Sequence, residues 1–386
     1  MSEPAVTAGL AGLARLIFTG QDPQPTWNAL MARATASPPD VGAMLDLSTL
    51  LQLTGQRDQA LALQADALAR QRRFRRKVGT GEGPRLLALV AAGDLMASTP
   101  VEFLLAGWNG ELDLLFLVPD DPPPTPMADH DLAILAVGES DANAPILRAL
   151  SGVAAAWPRP MLNANVSAIA ALGRDRAPAR LAGRADLVAP PTRRVARAEL
   201  AAIDEGFPII ARPVDSHAGA GLEKLQTAAE FGGYLERQAG ETFYVSPFVD
   251  YASPDGRFRK LRVALVAGRP FIVHMAVSEH WMVHYLNAGM AEDAGKRAEE
   301  AAMMATFDTG FAARHAAAFQ ALHAAFGLDY VALDCAEDRQ GRLLVFEADT
   351  AMIVHDMDPP ELYPYKAPAM HKLFAAFQAL IAARLG

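Results

Sequence analysis

Tyr330-Val331-Ala332-Leu333-Asp334-Cys335 and, after a short gap, Leu344-Val345-Phe346-Glu347-Ala348-Asp349-Thr350 decide how this chain reads. Both are short continuous apolar runs, the pattern of strands covered on two faces, and both carry carboxylates near their ends. The polar segment Glu337 to Gly341 between them predicts a hairpin that brings Asp334 alongside Glu347. Glu347 and Asp349 are two apart and so point to one face of an extended strand. Carboxylates converging there repel one another unless a cation joins them. Hard oxygen donors of this kind suit Mg²⁺ (or Mn²⁺), which takes a few carboxylates together with substrate phosphates. The plainer reading is a set of acids that cap strand ends.

Upstream, Ile209-Ile210-Ala211-Arg212-Pro213-Val214-Asp215-Ser216-His217-Ala218-Gly219-Ala220-Gly221 is a strand, a cation and a loop of small residues. Such a loop lets backbone N–H groups of Ser216, His217, Gly219 and Gly221 approach phosphate oxygens while Arg212 offsets their charge. The Gly-Lys-Ser/Thr ending of a Walker loop is missing. Strands are also expected at Phe243 to Val249, Lys260 to Ala267 and Pro270 to Val277, the last two joined by a turn at Gly268-Arg269. A long helical region from about Lys296 to Phe326 precedes the carboxylate strands, and an Ala-rich helix from about Ala367 closes the chain.

Further out the texture changes. Leu86 to Ala91, Leu112 to Val118 and Leu132 to Val137 are again buried-strand runs, an α/β unit with a mostly parallel sheet. It lacks the Gly-x-Gly-x-x-Gly of a dinucleotide site. Residues 1–78 read as helical throughout, with two helices folded back at Gly55 like a single tetratricopeptide unit. That segment reads as a cap on the enzyme or as an arm that docks a peptide or protein partner. The basic cluster Arg70 to Lys77 reads as a solvated helix end. Over the 386 residues, 51% are hydrophobic and 20% charged, which suits a compact enzyme. The net charge of −9 argues against a nucleic-acid partner. The sequence contains no apolar run of the roughly 18 residues that a membrane span needs. Cys335 is the sole cysteine, and no basic-then-apolar leader opens the chain, so the cytoplasm is the expected location.

Residues from about 161 to 386 resemble the ATP-grasp superfamily, with glutathione synthetase and the ribosomal-protein glutamate ligases nearest in flavour. The resemblance implies a fold of α+β and α/β character: a sheet domain over 79–160, then two α+β lobes that clamp ATP. A lid lobe would span about 190–250 and a catalytic lobe about 251–386. It implies an ATP-dependent carboxylate–amine ligase that forms a peptide or amide bond through an acyl phosphate. Small-molecule, amino-acid or peptide substrates are implied, and relatives often form homodimers. Carried over by position, Asp334, Glu347 and Asp349 match the metal ligands, while Arg176 and Arg212 match the cations on ATP phosphates. Val245 to Val249 matches the adenine hinge, and Asp250 would take a ribose hydroxyl. Arg262 would steady the transferring phosphoryl group.

The departures are specific. Arg stands at 176 and 212 where Lys is commoner, and Asp349 replaces Asn. Pro247 has no N–H, so Phe248 or Val249 must donate to adenine. Where the glutamate ligases carry basic residues, this chain has His274, Ala276, Val277 and His284, and with Asn287 the two histidines are assigned to substrate. Tyr363 and Lys366 are further candidates for substrate contact. An ATP-grasp kinase acting on a hydroxyl, and a nucleotide-binding adaptor that works through the helical arm, are the competing readings.

Overall fold

A computed structural model describes residues 3–119, 129–204, 206–214, 216 and 219–386. It shows a mixed α/β fold in two compact units, Met1–Ala170 with Leu328–Val331 and Thr350–Gly386, and Ala171–Gly327 with Ala332–Asp349. No helix among the described residues is long and apolar enough to cross a membrane.

In the first unit the helices α1 (Leu10–Phe18), α2 (Gln24–Ala34), α3 (Val41–Leu53) and α4 (Arg57–Arg70) share a core of Leu13, Leu30, Leu47, Leu50 and Ala60. Asp40 caps α3 by accepting from Ala43 N–H at 3.1 Å. The strands β1 (Ala5–Val6), β2 (Arg73–Val78), β3 (Arg85–Ala91), β4 (Gly110–Leu117), β5 (Leu132–Leu135) and β6 (Met161–Leu162) form one sheet in the order β1-β2-β4-β3-β5-β6. Its centre is parallel and apolar, as the continuous runs predicted, because covering both faces leaves no place for alternation.

One expectation needs correcting. Residues 73–78, read with the helical stretch, are strand β2, antiparallel to β4. Its arginines are therefore no solvated helix end. Arg75 lies opposite Asp113 in register and donates to it at 2.6 and 2.9 Å, while Arg73 Nε donates at 3.1 Å. Asp113 itself is 0% exposed. The cross-strand charge pairs favour the ladder, which a pattern of apolar residues alone does not reveal.

The first strand of the second unit is β7 (Leu187–Val188). The strands β8 (Arg193–Ala196), β9 (Ile209–Pro213), β10 (Glu223–Leu225) and β11 (Thr242–Pro247) make an antiparallel sheet in the order β10-β9-β11-β8, over a core of Phe231, Tyr234, Phe243 and Val245. A five-stranded sheet, β13-β12-β14-β15-β7, adds β12 (Phe258–Val266), β13 (Arg269–Ser278), β14 (Tyr330–Glu337) and β15 (Leu343–Asp349). The β12–β13 turn sits one residue earlier than expected, at Ala267 (φ 48°) and Gly268 (φ 78°). Two left-handed residues suit a tight hairpin, and a Cβ on Gly268 would meet the His323 ring at 2.7 Å. The long helical region is broken into Ala294–Thr306, Phe311–Arg314 and Ala316–Phe326.

Asp113 is expected to stabilise the first unit in a pH-dependent way. Burial opposes its charge, but Arg75 and Arg73 outweigh this and hold the carboxyl below its ordinary value. The contribution is full above the unfolded carboxylate range, near 4, and is lost as pH falls through the lower folded value. Asp113→Ala should cost about 3 kcal/mol in urea unfolding at pH 7, the lower end for a broken buried pair because both arginines retain some water. Asp113→Asn should flatten the acid limb of the stability curve. An unchanged acid limb would show that the pair contributes nothing.

Candidate functional site

Strand alternation builds the site. Lys260 and Arg262 are two apart on β12 and share a face. On β14, Asp334 (4% exposed) reaches both: Lys260 Nζ lies 2.7 Å from Oδ2, and Arg262 Nε donates to Oδ1 at 2.8 Å. Asp334 pairs in register with Glu347 on β15, as the hairpin reading required. Glu347 is ion-paired with Arg174, from the segment before the helix Ala177–Leu181.

Every charge here bears on the others. For Asp334, burial is outweighed by Arg262 and Lys260, which hold the carboxyl well below the usual carboxylate range. For Glu347, burial and the repulsion of Asp334 are outweighed by Arg174, with Arg212 and Lys260 adding to it. Arg212, buried on β9, is pushed down to about 10 by burial and by Arg174, with Glu347 opposing, so it remains charged at neutral pH. Within the chain these cations offset the two carboxylates. Asp349 lies two pairs along, opposite Ala332. Among the described residues no group of three or more acidic, His or Cys side chains gathers into a metal site of its own. Four cations facing two carboxylates make a surface with positive excess, fit for a polyanion.

The loop after β9 folds onto Arg212. Arg212 Nε donates to Ser216 Oγ at 3.0 Å and its Nη2 to the Ser216 carbonyl, while the Ser216 hydroxyl donates to Pro213 O at 2.7 Å. Gly219 and Gly221 are left-handed, at φ 79° and 66°. His217 lies outside the described residues. Arg176, expected beside the phosphates, is set against its neighbour Asp175 at 3.7 Å. Arg174 reaches the acidic strand instead. Sequence reasoning missed Arg174 and Lys260. For Lys260 a signal existed, since it precedes Arg262 by two on one strand. In Gly173-Arg174-Asp175-Arg176 nothing in the sequence distinguishes the two cations.

The hinge is narrower than expected. Val245 is buried at the centre of β11, paired with Ala211 on β9 and Arg193 on β8, so its backbone is committed to the sheet. That removes it as an adenine contact. Phe248 N–H donates to Pro208 O at 2.9 Å, which leaves Val249 of the two expected donors. Lys224, also missed, stands over the Phe248 ring at 3.5 Å. Asp250 accepts from Ala252 N–H at 3.0 Å and pairs with Arg339 at 2.7 Å, so a ribose hydroxyl would compete with both.

In the segment after β13, His284 borders the charged cluster. Burial lowers its pKa, Lys260 and Arg262 lower it further, and Asp334 opposes them. Asn287 accepts from His284 N–H at 3.1 Å and closes a capping box with it, a local structural duty. His274 lies opposite Arg262 in register, its ring 4.6 Å from Tyr285. Fully buried Glu300 anchors this stretch, accepting from Met275 N–H at 3.0 Å and Tyr285 OH at 2.9 Å. Lys366 and Tyr363 belong to the first unit, where the Lys366 ammonium lies 4.4 Å from the Tyr363 ring and 3.2 Å from Asp358.

No protein-family model and no curated protein sequence matches the chain. Solved structures similar to it include a RimK-domain ATP-grasp protein from Sphaerobacter thermophilus, with 17% identity and a TM-score of 0.42 over 76% of this chain and 98% of that one. The VanG D-Ala:D-Ser ligase from Enterococcus faecalis is similar at 11% identity and a TM-score of 0.46, over 78% and 99%. The D-cycloserine synthetase DcsG follows at 15% and 0.43, over 78% and 100%. With TM-scores of 0.46 or less these are partial likenesses, and the side chains above carry the chemical meaning.

Inorganic tripolyphosphate carries the anionic groups of a nucleoside triphosphate without its base. It should bind the Arg174, Arg212, Lys260 and Arg262 face and raise the thermal midpoint, by the equivalent of about 2.7 kcal/mol at a hundredfold excess over Kd. Arg174→Ala and Arg212→Ala should each weaken binding and reduce its salt dependence. A midpoint indifferent to tripolyphosphate would remove the face as a phosphate cradle.

Proposed function

We propose that the chain is an ATP-dependent carboxylate–amine ligase with an ATP-grasp fold, acting on small-molecule, amino-acid or peptide substrates. The observation that carries this reading is the meeting of Lys260, Arg262, Arg174 and Arg212 with Asp334 and Glu347 in one charged cluster. Such a face accepts a triphosphate through its cations and a divalent ion through its carboxylates.

Asp334 and Glu347, with Asp349 beside them, are hard oxygen donors that fit Mg²⁺ together with phosphate oxygens. The ion would neutralise charge on the phosphates. Arg212 and Arg174 hold the phosphate chain. Val249 N–H meets the base, and Lys224 with Phe248 walls it. A substrate carboxylate oxygen attacks the γ-phosphorus and ADP leaves, giving an acyl phosphate. The amine nitrogen then attacks the acyl carbon, phosphate leaves, and the nitrogen gives up its proton. His284 takes that proton, because burial and the adjoining cations keep it neutral at pH 7. Arg262 offsets the charge that develops on the transferring group.

Screening carboxylates and amines for ADP release identifies the substrates, and hydroxylamine then intercepts the acyl phosphate as a hydroxamate. Substrate-dependent hydroxamate is expected from the wild-type protein. Arg262→Ala should yield on the order of 10²–10³ less, with nucleotide affinity changed only modestly. A stable phosphate ester with no hydroxamate would identify a kinase. ATP binding without turnover of any carboxylate would favour an adaptor.

A further inference from the structure

The first unit carries a part-open cavity of about 110 Å³, away from the charged cluster of the second unit. Its walls come from the segment before α1, from α3 and α4, from the loop after β3 and from β4, with Asp46, Gln52, Thr99, Glu102, Leu114 and Phe116 among the lining residues. Much of this wall belongs to the helical stretch outside the ATP-grasp resemblance.

Two of its polar atoms are left over. Thr99 is 3% exposed, and its Oγ1 is buried with no hydrogen-bond partner. Gln52 Oε1 is likewise buried without a partner, while its Nε2 faces Gly93 O at 3.4 Å. Gln64 fixes the same loop by donating to Gly93 O at 3.0 Å and accepting from Gly93 N–H at 2.8 Å. A buried acceptor left unpaired is costly, and a native fold retains one where something else completes it.

The charge of the cavity says what that something is. Asp46 and Glu102 are both buried. Asp46 accepts from Ala8 and Gly9 N–H at 2.7 and 3.0 Å, and burial, reinforced by Glu102, pushes its carboxyl up to about 6. The guanidiniums of Arg57 and Arg76 are already paired with Asp94 and Glu102. Asp46 is held by amide hydrogens alone among these acids, so a ligand carboxylate or phosphate would meet its charge, whereas an ammonium would relieve it.

We propose that this cavity binds a small amino alcohol of about four or five non-hydrogen atoms, the size its volume admits next to a benzene-sized cavity of 150 Å³. Its ammonium and hydroxyl hydrogens satisfy Gln52 and Thr99, and its charge offsets Asp46. The binding is independent of the ligase reading.

Ethanolamine is the probe, titrated into the full chain by calorimetry at neutral pH. Ethylene glycol serves as the neutral match in size and glycine as the match bearing a carboxylate. Saturable binding of ethanolamine is expected, with both comparison compounds at least about tenfold weaker. Thr99→Val and Gln52→Leu should each weaken ethanolamine about tenfold, the loss of one hydrogen bond, while Thr99→Ser retains it. If one variant does not fold, the other carries the comparison, alongside Thr99→Ser. Absence of ethanolamine binding, a cavity holding only water, or wild-type affinity retained in both variants would overturn the proposal.

Discussion

Charge balance in one cluster around β14 and β15 governs the second unit. Asp334 is nearly inaccessible to water, and an isolated carboxylate there would lose its hydration without return. Lys260 and Arg262 stand on the neighbouring strand at the spacing that lets both reach it. Glu347, opposite Asp334, would add repulsion, and Arg174 answers it. Arg212 then sits beside Arg174 in a buried place where its charge is held by Glu347 and by the Ser216 loop. Each ion thus makes its neighbour tolerable.

The first unit uses the same physics for architecture. Asp113 ties β2 to β4 through two arginines. Asp46 and Glu102 collect the amide hydrogens of residues 8–11, where the chain enters α1. Those N–H groups have no partner within a helix start, and carboxylates reaching them from elsewhere bind the N-terminal segment to α3 and to the short helix Val101–Leu104. The same two acids form the electronegative wall of the cavity.

The chain itself determined the strand runs at 86–91, 132–135, 330–337 and 343–349, the hairpin that pairs Asp334 with Glu347, and the placement of Arg212 before a loop of small residues. These are local matters of periodicity and turn chemistry, legible because side-chain direction follows from strand geometry. Only the tertiary structure decided that residues 73–78 form a strand, that Arg174 meets Glu347, that Val245 is interior, and that the Phe248 amide is already committed to Pro208. Each of these depends on partners far away in sequence. A stretch of arginines reads the same at a helix end or opposite a buried aspartate, and two cations in Gly-Arg-Asp-Arg differ only in which acid the fold brings near. Hydrogen-bond commitment is settled by neighbours in space, and periodicity in one segment carries no record of them.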